Sequence, residues 1–206
     1  MEKGECSLIL FAKTPVPGHV KTRLIPAVGA EGAATLHEKL VLKCLSAAVA
    51  SGIGPVDLWC APSVEHRFFS RCQKEFNVGL YSQKGDDIGQ RMAYAFRETL
   101  KKVPCALLMG TDCPSLTAED LRKAATLLDQ ATDAVIIPSE DGGYVLLGLR
   151  HFSEDLFREI SWGTDRVMEQ TRLRLLRFEW RWRELPERWD VDDPEDLERL
   201  MAEKAI

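Results

Sequence analysis

The sequence is 206 residues long and carries 27 Lys and Arg residues against 32 Asp and Glu residues, a formal net charge of −5. This length can bury a sizeable core, and we expect residues 1–206 to form a single domain. With 45% hydrophobic and 29% charged residues, the composition indicates a globular protein rather than a disordered or fibrous one. Because a nucleic-acid binder must neutralise many phosphates, the acidic balance argues against nucleic acid as a partner.

The apolar runs and the cysteines of the sequence indicate the cellular location of the protein. No apolar run approaches the roughly 20 residues that span a bilayer, and Met1–Cys6 lacks the charged-then-apolar pattern of a signal peptide. We therefore expect a cytoplasmic protein without a membrane span. The six cysteines are spread singly, with no Cys-x-x-Cys pair and no histidine nearby at zinc-ligand spacing. Disulfides remain formally possible, but reduced and mostly buried thiols fit a cytoplasmic protein better.

Short apolar runs alternate with longer segments of helical period. The continuous apolar run Cys6–Lys13 predicts a strand buried on both faces. From Glu31 to Ala50 the apolar residues recur every three or four positions, which predicts a helix. The elements predicted next are a strand at Val56–Cys60, a helix at Val64–Phe76, a strand at Val78–Tyr81, a helix at Ile88–Leu100 and a strand at Ala106–Gly110.

The second half of the chain continues this alternation. Thr117 and Asp120 have the spacing of a capping box, which predicts the start of a helix. The predicted elements are a helix at Ala118–Gln130, strands at Asp133–Pro138 and Tyr144–Leu149 joined by a turn, a helix at Thr164–Leu175, a strand at Arg177–Trp182 and a helix that starts at Asp193 and Pro194. The pattern predicts a Rossmann-like, doubly wound, mostly parallel sheet with helices on both faces. Ligands of such sheets bind beyond the carboxyl ends of the strands.

The loop after the first predicted strand is the most informative stretch. The residues from Phe11 to Leu24 include no acid. Their cations are Lys13, Lys21 and Arg23. Two prolines stiffen the loop, and Gly18 lets its backbone approach a ligand closely. A rigid cationic loop at the end of a strand suits a diphosphate. The alternative is a solvated basic loop, and the spacing matches neither a P-loop nor a Gly-x-Gly-x-x-Gly fingerprint.

Carboxylates that could bind a metal occur in two places. Asp112 follows the predicted strand Ala106–Gly110, where it could bind a hard divalent cation or simply cap a turn. The acidic segment Trp189–Leu197 could supply a second ligand from Asp190 or Asp192, although acids there also favour the start of a helix. Because the cationic loop and Asp112 follow neighbouring strands, we predict one nucleotide–metal site with Mg²⁺ or Mn²⁺ as the cofactor.

Three later segments carry further candidate groups. Gln83 could bind the edge of a base because its amide both donates and accepts hydrogen bonds, and Gly89 follows at the start of a predicted helix. Arg91 could contact phosphates or lie at the surface. Asp141 is a candidate catalytic base for an acceptor, with a plain hairpin turn as the alternative. Trp162 suits either a sugar platform or core packing.

The stretch from Arg172 to Arg188 is rich in arginine and contains Trp180 and Trp182. A basic stretch with aromatic residues could bind nucleic acid. The aromatic residues alternate with charged ones, however, as in an exposed or edge strand, and glutamates offset the charge. We therefore predict an edge strand here and no nucleic-acid partner.

Four motifs carry a resemblance to a known family. They are Phe-Ala-Lys-x-Pro-x-Pro-Gly-x-Val-Lys-Thr-Arg-Leu from Phe11, Gly-Thr-Asp-Cys-Pro-x-Leu from Gly110, Asp-Gly-Gly-Tyr-x-Leu-Leu-Gly-Leu from Asp141 and Asp-Val-Asp-x-Pro-Glu-Asp-Leu from Asp190. In this order they resemble a bacterial family of glycosyltransferases with the nucleotide-diphospho-sugar transferase (GT-A) fold, some of them linked to arsenosugar biosynthesis. More distantly, the chain is similar to sugar-phosphate, molybdenum-cofactor and phospholactate nucleotidyltransferases.

The resemblance spans Leu8 to Leu197 and implies roles for individual residues. It assigns nucleotide phosphates to Lys13, Lys21 and Arg23, the base to the segment of Gln83 and Gly89, and the metal to Asp112. A second metal ligand is implied near Asp192, with the choice between Asp190 and Asp192 left open. Two departures matter: the first loop lacks the Gly-x-Gly-Thr/Ser-Arg form of nucleotidyltransferases, and one acid stands at Asp112 where many sugar transferases carry Asp-x-Asp.

The leading hypothesis is a metal-dependent glycosyltransferase that uses a nucleoside diphosphate sugar and a small-molecule acceptor. Asp112 would act through the metal, Lys21 and Arg23 would stabilise the leaving diphosphate, and Asp141 would act on the acceptor hydroxyl. The alternatives are a nucleotidyltransferase that joins an NTP to a phosphorylated small molecule and a non-catalytic nucleotide-binding domain.

Overall fold

The computed structural model describes residues 6–129 and 132–203. The strands are β1 (Cys6–Lys13), β2 (Val56–Ala61), β3 (Gly79–Ser82), β4 (Cys105–Met109), β5 (Ala134–Pro138), β6 (Tyr144–Leu149) and β7 (Trp182–Glu184). The helices are α1 (Ile25–Ser51), α2 (Arg67–Phe76), α3 (Ile88–Leu100), α4 (Ala118–Asp129), α5 (Val167–Arg177) and α6 (Pro194–Ala202). Short 3₁₀ turns at Thr22–Leu24 and Glu154–Leu156 complete the described secondary structure.

The strands form one mixed sheet in the order β3-β2-β1-β4-β6-β5-β7. Strands β1 to β4 pair in parallel, and β5 pairs in parallel with β7. Only β6 runs antiparallel to its neighbours β4 and β5. The predicted doubly wound, mostly parallel α/β sheet is therefore confirmed. The ends of β1 and β4 lie side by side at its carboxyl edge.

Alternate side chains of the buried strands supply two cores, one on each face of the sheet. Leu8 and Leu10 of β1 pack with α1, α2 and α4 on one face, whereas Ile9 and Phe11 pack with α3 and α5 on the other. This is the layer arrangement expected when every strand carries apolar side chains on both faces. A third cluster, which includes Leu24, packs the middle of α1 against α6 and the segment before it.

Most predicted elements are confirmed, some to the residue. The predictions for β1, α3 and β6 match the observed bounds, and Thr117 and Asp120 form the expected reciprocal capping hydrogen bonds. The predicted end of α4 at Gln130 lies outside the described residues. All six cysteines lie within the described residues and are buried, and none is joined in a disulfide, as predicted.

Two predictions differ from the structure for identifiable reasons. Helix α1 is described from Ile25, six residues before the predicted Glu31, with Pro26 in its first turn. Gly29, at φ 72° and ψ 167°, is not helical, so the continuous helix begins after it, close to the predicted start. The strand predicted at Arg177–Trp182 is wrong, since α5 continues to Arg177 and the chain reverses through Glu179, at φ 57°, before β7 begins. The alternating aromatic residues of this stretch pack on the core from the turn and the edge strand.

Within residues 6–129 and 132–203, no helix is both long and apolar enough to cross a membrane.

Candidate functional site

A cavity of about 360 Å³ opens at the carboxyl ends of β1 and β4. Cations, carboxylates and an amide line it together. The cationic side chains are Lys13, Lys21, Arg23 and Arg91; the carboxylates are Asp112 and Asp192; the amide is Gln83. The structure therefore brings together most of the residues that the sequence singled out, although they come from four separate parts of the chain.

The loop after β1 contributes three cations to the lining of this cavity, of which two are exposed and one is buried. Lys13 is exposed at the end of β1, and the side chain of Arg23 is 75% exposed. Gly18 adopts φ 83°, a conformation that favours glycine, so its role in the structure is to turn the loop. The side chain of Lys21, in contrast, is only 5% exposed. Lys13 and Arg23 are therefore the cations of this loop that are free to meet a ligand.

Lys21 binds carboxylates of the site itself. Its Nζ lies 2.7 Å from Oδ1 of Asp112 and 3.2 Å from Oδ1 of Asp192, and it donates to the carbonyl oxygen of Val191 at 2.6 Å. Burial alone would lower the pKa of Lys21, but the two carboxylates outweigh burial and raise it. The ammonium is thus charged, and it joins the loop to two acids that were predicted as metal ligands.

Asp112 stands at the centre of the site. Burial would raise the pKa of its carboxyl group, but the neighbouring Lys21 ammonium holds that pKa below its usual range. The carbonyl oxygen of Asp112 accepts a hydrogen bond from the backbone N–H of Val191 at 2.9 Å, which ties the β4 loop to the acidic segment. Asp112 is therefore ionised and fixed at the carboxyl edge of the sheet.

His37 is a site residue that the sequence did not reveal. Its ring lies on α1 with a side chain only 5% exposed, and Nε2 lies 2.9 Å from the carbonyl oxygen of Lys13. Because a carbonyl only accepts, Nε2 carries the proton, and burial lowers the pKa of the ring so that it is neutral. The bare Nδ1 then faces Oδ1 of Asp112 at 3.9 Å. The sequence offered one signal for this role, because His37 is a polar residue on the apolar face of the helix predicted from Glu31 to Ala50.

The acidic segment divides into capping residues and site residues. The side chain of Asp193 caps α6 and forms a capping box with Asp196, so these two acids serve the helix. Asp192 instead points to Lys21 and lies 4.0 Å from Arg23. Asp190 accepts a hydrogen bond from the hydroxyl of Ser139 at 2.7 Å. Burial and the nearby carboxylates raise the pKa of Asp190 to about 6.

Gln83 has a fixed amide orientation. Its Nε2 donates to the carbonyl oxygens of Trp59 at 2.8 Å and Ala12 at 3.4 Å. Because both partners can only accept, the amide nitrogen must face the protein. The Oε1 of Gln83 is left for the cavity, where it can accept a hydrogen bond from an N–H group.

Gly89 serves packing at the start of α3. A methyl group at this position would overlap the indole of Trp162, which also makes an edge-on contact with the ring of Tyr144, 6.4 Å between centroids. Trp162 is partly buried. Because its indole packs on Gly89, it joins α3 to the segment before α5. Arg91 lines the cavity one turn further along and donates from Nε to the carbonyl oxygen of Gly85 at 3.0 Å.

Asp141 lies in the tight turn between β5 and β6, at the same edge of the sheet. It is exposed, and its Oδ1 accepts a hydrogen bond from the backbone N–H of Gly143 at 2.9 Å. Its charge contributes to the raised pKa of Asp190. The turn geometry accounts for Asp141 and Gly143, and the proposed catalytic role of Asp141 stays a prediction.

The donor set suits a divalent cation that arrives with a phosphorylated ligand. Asp112 and Asp192 offer hard oxygen ligands that already converge on one positive charge, the Lys21 ammonium. In the part of the chain that the structure describes, no three His, Cys, Asp or Glu side chains are grouped as a metal site. Mg²⁺ is commonly held by one or two carboxylates plus substrate phosphates and water rather than by a cage of protein ligands. The residues therefore fit Mg²⁺ or Mn²⁺ in that form.

Comparison with known proteins agrees with this fold. A protein from Desulfovibrio desulfuricans G20 described as a "putative nucleotide-diphospho-sugar transferase" is 32% identical, with a TM-score of 0.87 over 96% of this chain and 86% of that chain. A nucleotidyl transferase from Methanothermobacter thermautotroptrophicus gives a TM-score of 0.66 at 13% identity, covering 97% of each chain. The 4-diphosphocytidyl-2C-methyl-D-erythritol synthase of Anaerococcus prevotii DSM 20548 gives 0.61 at 11% identity, covering 98% of this chain and all of that one.

These similarities define the class of fold, which is that of nucleotide-diphospho-sugar transferases and nucleotidyltransferases. The family described as "Uncharacterized protein conserved in bacteria (DUF2064)" matches residues 44–164, more than half of the chain. The chain belongs to this family. No curated protein gave a match.

Proposed function

We propose that this protein is a cytoplasmic, single-domain, metal-dependent glycosyltransferase that uses a nucleoside diphosphate sugar and a small-molecule acceptor. One observation carries the proposal: a single cavity at the carboxyl edge of the sheet combines exposed cations, two carboxylates and an outward amide oxygen. Those three kinds of group suit a diphosphate, a divalent cation and a base. The similarity to the Desulfovibrio protein supports the same class of ligand.

The diphosphate would be held by the exposed cations. Arg23 can bind phosphate oxygens through two parallel N–H donors, and Lys13 acts as a point charge beside it. When the bond to the sugar breaks, negative charge grows on the diphosphate, and fixed cations stabilise that charge most in the transition state. Arg91, which also lines the cavity, would complete this set.

The metal would be held by Asp112 and Asp192 together with phosphate oxygens. When bound, Mg²⁺ or Mn²⁺ supplies charge neutralisation on the leaving diphosphate. Gln83 would accept a hydrogen bond from an N–H group of the base through Oε1. Gly89 belongs to the same segment, where its close packing against Trp162 would position the start of α3, whose Ile88 and Arg91 line the cavity.

The acceptor would approach from the turn between β5 and β6. In the proposed transfer, the acceptor oxygen bonds to the anomeric carbon, the bond from that carbon to the diphosphate breaks, and the acceptor hydroxyl loses its proton. Asp141 is exposed at this edge, so its carboxylate can orient the hydroxyl or take the proton. The resemblance of the motifs to the type linked to arsenosugar biosynthesis supports a small acceptor.

A binding screen tests the ligand class. Nucleoside diphosphates, their sugars and nucleoside triphosphates would each be added with Mn²⁺, and thermal unfolding followed. A ligand at 100 times its Kd stabilises the native state by about 2.7 kcal/mol, which raises the Tm of a chain of this size by about 5 °C or more. No shift with any nucleotide would contradict the proposal.

Product analysis tests the reaction. Release of free nucleoside diphosphate from a nucleotide sugar supports glycosyl transfer. Release of pyrophosphate from a triphosphate and a phosphorylated small molecule would overturn glycosyl transfer in favour of nucleotidyl transfer. Binding without either product would identify a non-catalytic nucleotide-binding domain instead.

A further inference from the structure

The ammonium of Lys21 occupies a place built for a cation. Its Nζ donates hydrogen bonds to Oδ1 of Asp192 at 3.2 Å and to the carbonyl oxygen of Val191 at 2.6 Å, and it forms an ion pair with Oδ1 of Asp112 at 2.7 Å. With the side chain 5% exposed, few alternative partners are within its reach. The protein therefore supplies its own cation between the two carboxylates.

The backbone confirms that this position of Lys21 is imposed. Lys21 adopts φ 47° and ψ 44°, the left-handed region, which is uncommon for residues with a Cβ atom. Backbone conformations of this kind persist only where surrounding contacts stabilise them, and they cluster at functional sites. The neighbouring cations of the loop, Lys13 and Arg23, also line the cavity, but they are exposed.

We propose that Lys21 closes the carboxylate pair of Asp112 and Asp192 in the nucleotide-free protein, so that a divalent cation enters only as its complex with a nucleoside diphosphate. This inference rests on the proposed function, because it describes how the same site takes up its two ligands. A free divalent cation would have to displace the ammonium or bind beside it. Lys21 cancels one of the two negative charges, which weakens either mode of binding.

A nucleoside diphosphate removes this obstacle in two ways. Its phosphate oxygens offer the Lys21 ammonium new partners of the same charge as the carboxylates. They also provide the metal with the ligands that the protein lacks, since two carboxylates alone do not fill its coordination. Binding of the nucleotide and of the metal is therefore coupled, and each ligand must raise the affinity of the other by the same factor.

The test is a titration of the nucleotide-free protein with Mn²⁺, in which electron paramagnetic resonance measures the free ion. We expect weak binding to the wild type. Lys21→Met should bind Mn²⁺ at least about tenfold more tightly, or about 1.4 kcal/mol, and the added substitution Asp112→Asn should abolish this gain. Lys39→Met is the matched control, since Lys39 is exposed on α1, lies outside the lining of the cavity and undergoes the identical charge change. The Mn²⁺ affinity of this control should stay at the wild-type level.

Two outcomes would overturn the inference. One is tight Mn²⁺ binding to the wild type that is lost in Asp112→Asn, because the carboxylate pair would then be open. The other is a Lys21→Met protein, shown to be folded by circular dichroism, whose Mn²⁺ affinity equals that of the wild type. If Lys21→Met does not fold, the wild-type titration decides alone. Neither measurement needs a nucleotide, so a failure of the proposed function, seen as no nucleotide binding, is recorded separately.

Discussion

Replacement of Arg23 by alanine isolates the phosphate-binding function of the β1 loop. The side chain is 75% exposed, and the carboxylate of Asp192 lies 4.0 Å away. An exposed pair at that distance contributes about 0–1 kcal/mol to stability, so Arg23→Ala should leave the free energy of unfolding almost unchanged. Hydrogen bonds to a charged group are worth about 1.5–3 kcal/mol. The substitution should therefore weaken binding of a nucleoside diphosphate by about 10- to 150-fold.

Isothermal titration calorimetry with Mn²⁺ and each nucleoside diphosphate measures this loss directly. Arg177→Ala is the matched control, because Arg177 is exposed on α5, outside the lining of the cavity. The control should bind as the wild type does. An affinity loss for Arg23→Ala below about 0.5 kcal/mol, well under the range for charged hydrogen bonds, would refute the assignment of this loop. An equal loss in Arg177→Ala would show only a long-range effect of charge.

Three further predictions concern the fold that supports the site. Asp120 accepts hydrogen bonds from Thr117 and Arg188, which outweigh burial and lower its pKa; Asp120→Asn should cost about 1.5 kcal/mol or more of unfolding free energy at pH 7. The pKa of Asp120 is lower in the folded than in the unfolded protein, so the stability difference between the wild type and Asp120→Asn should vanish as the pH falls below about 4. Urea denaturation repeated over this pH range measures the difference, and a constant value would refute the role of the Asp120 charge. Gly89→Ala should destabilise the protein by about 1–3 kcal/mol, since the methyl group would displace Trp162. Gly110→Ala is the control and should cost less, because open space surrounds Gly110. Equal losses of unfolding free energy in urea denaturation would contradict the packing role of Gly89. The six cysteines should react with Ellman's reagent only after unfolding, because all are buried and none is joined in a disulfide. Fewer than six reactive thiols in denaturant would indicate a disulfide.

The sequence predicts those parts of the molecule that local patterns determine. The apolar run of β1 and the helical period of α3 depend only on the residues of each element. Both elements are therefore predicted to the residue. The location of the site follows from the rule that ligands bind at the carboxyl ends of parallel strands. Lys13, Arg23, Gln83, Asp112 and Asp192 do line one cavity there.

The partners within the site could not be predicted, because they depend on packing between distant segments. Lys21 resembles the other loop cations in sequence, and its contacts with Val191 and Asp192 join residues about 170 positions apart. His37 belongs to no sequence motif. Its position is explained by the hydrogen bond between its ring and the backbone carbonyl of Lys13 at the end of β1, which the sequence does not show. Gly89 was predicted near the base, but its close neighbour is the indole of Trp162.

The central claim is that a nucleoside diphosphate and a divalent cation bind together between the cationic loop and Asp112. The most direct measurement is a calorimetric titration of nucleoside diphosphates into the wild type and Asp112→Asn, each with Mn²⁺ and with EDTA. We predict saturable binding of at least one nucleotide to the wild type with Mn²⁺, weakened by about tenfold or more, or 1.4 kcal/mol, when either the metal or the carboxylate is removed. Absence of binding, or equal affinity under all four conditions, would contradict the account.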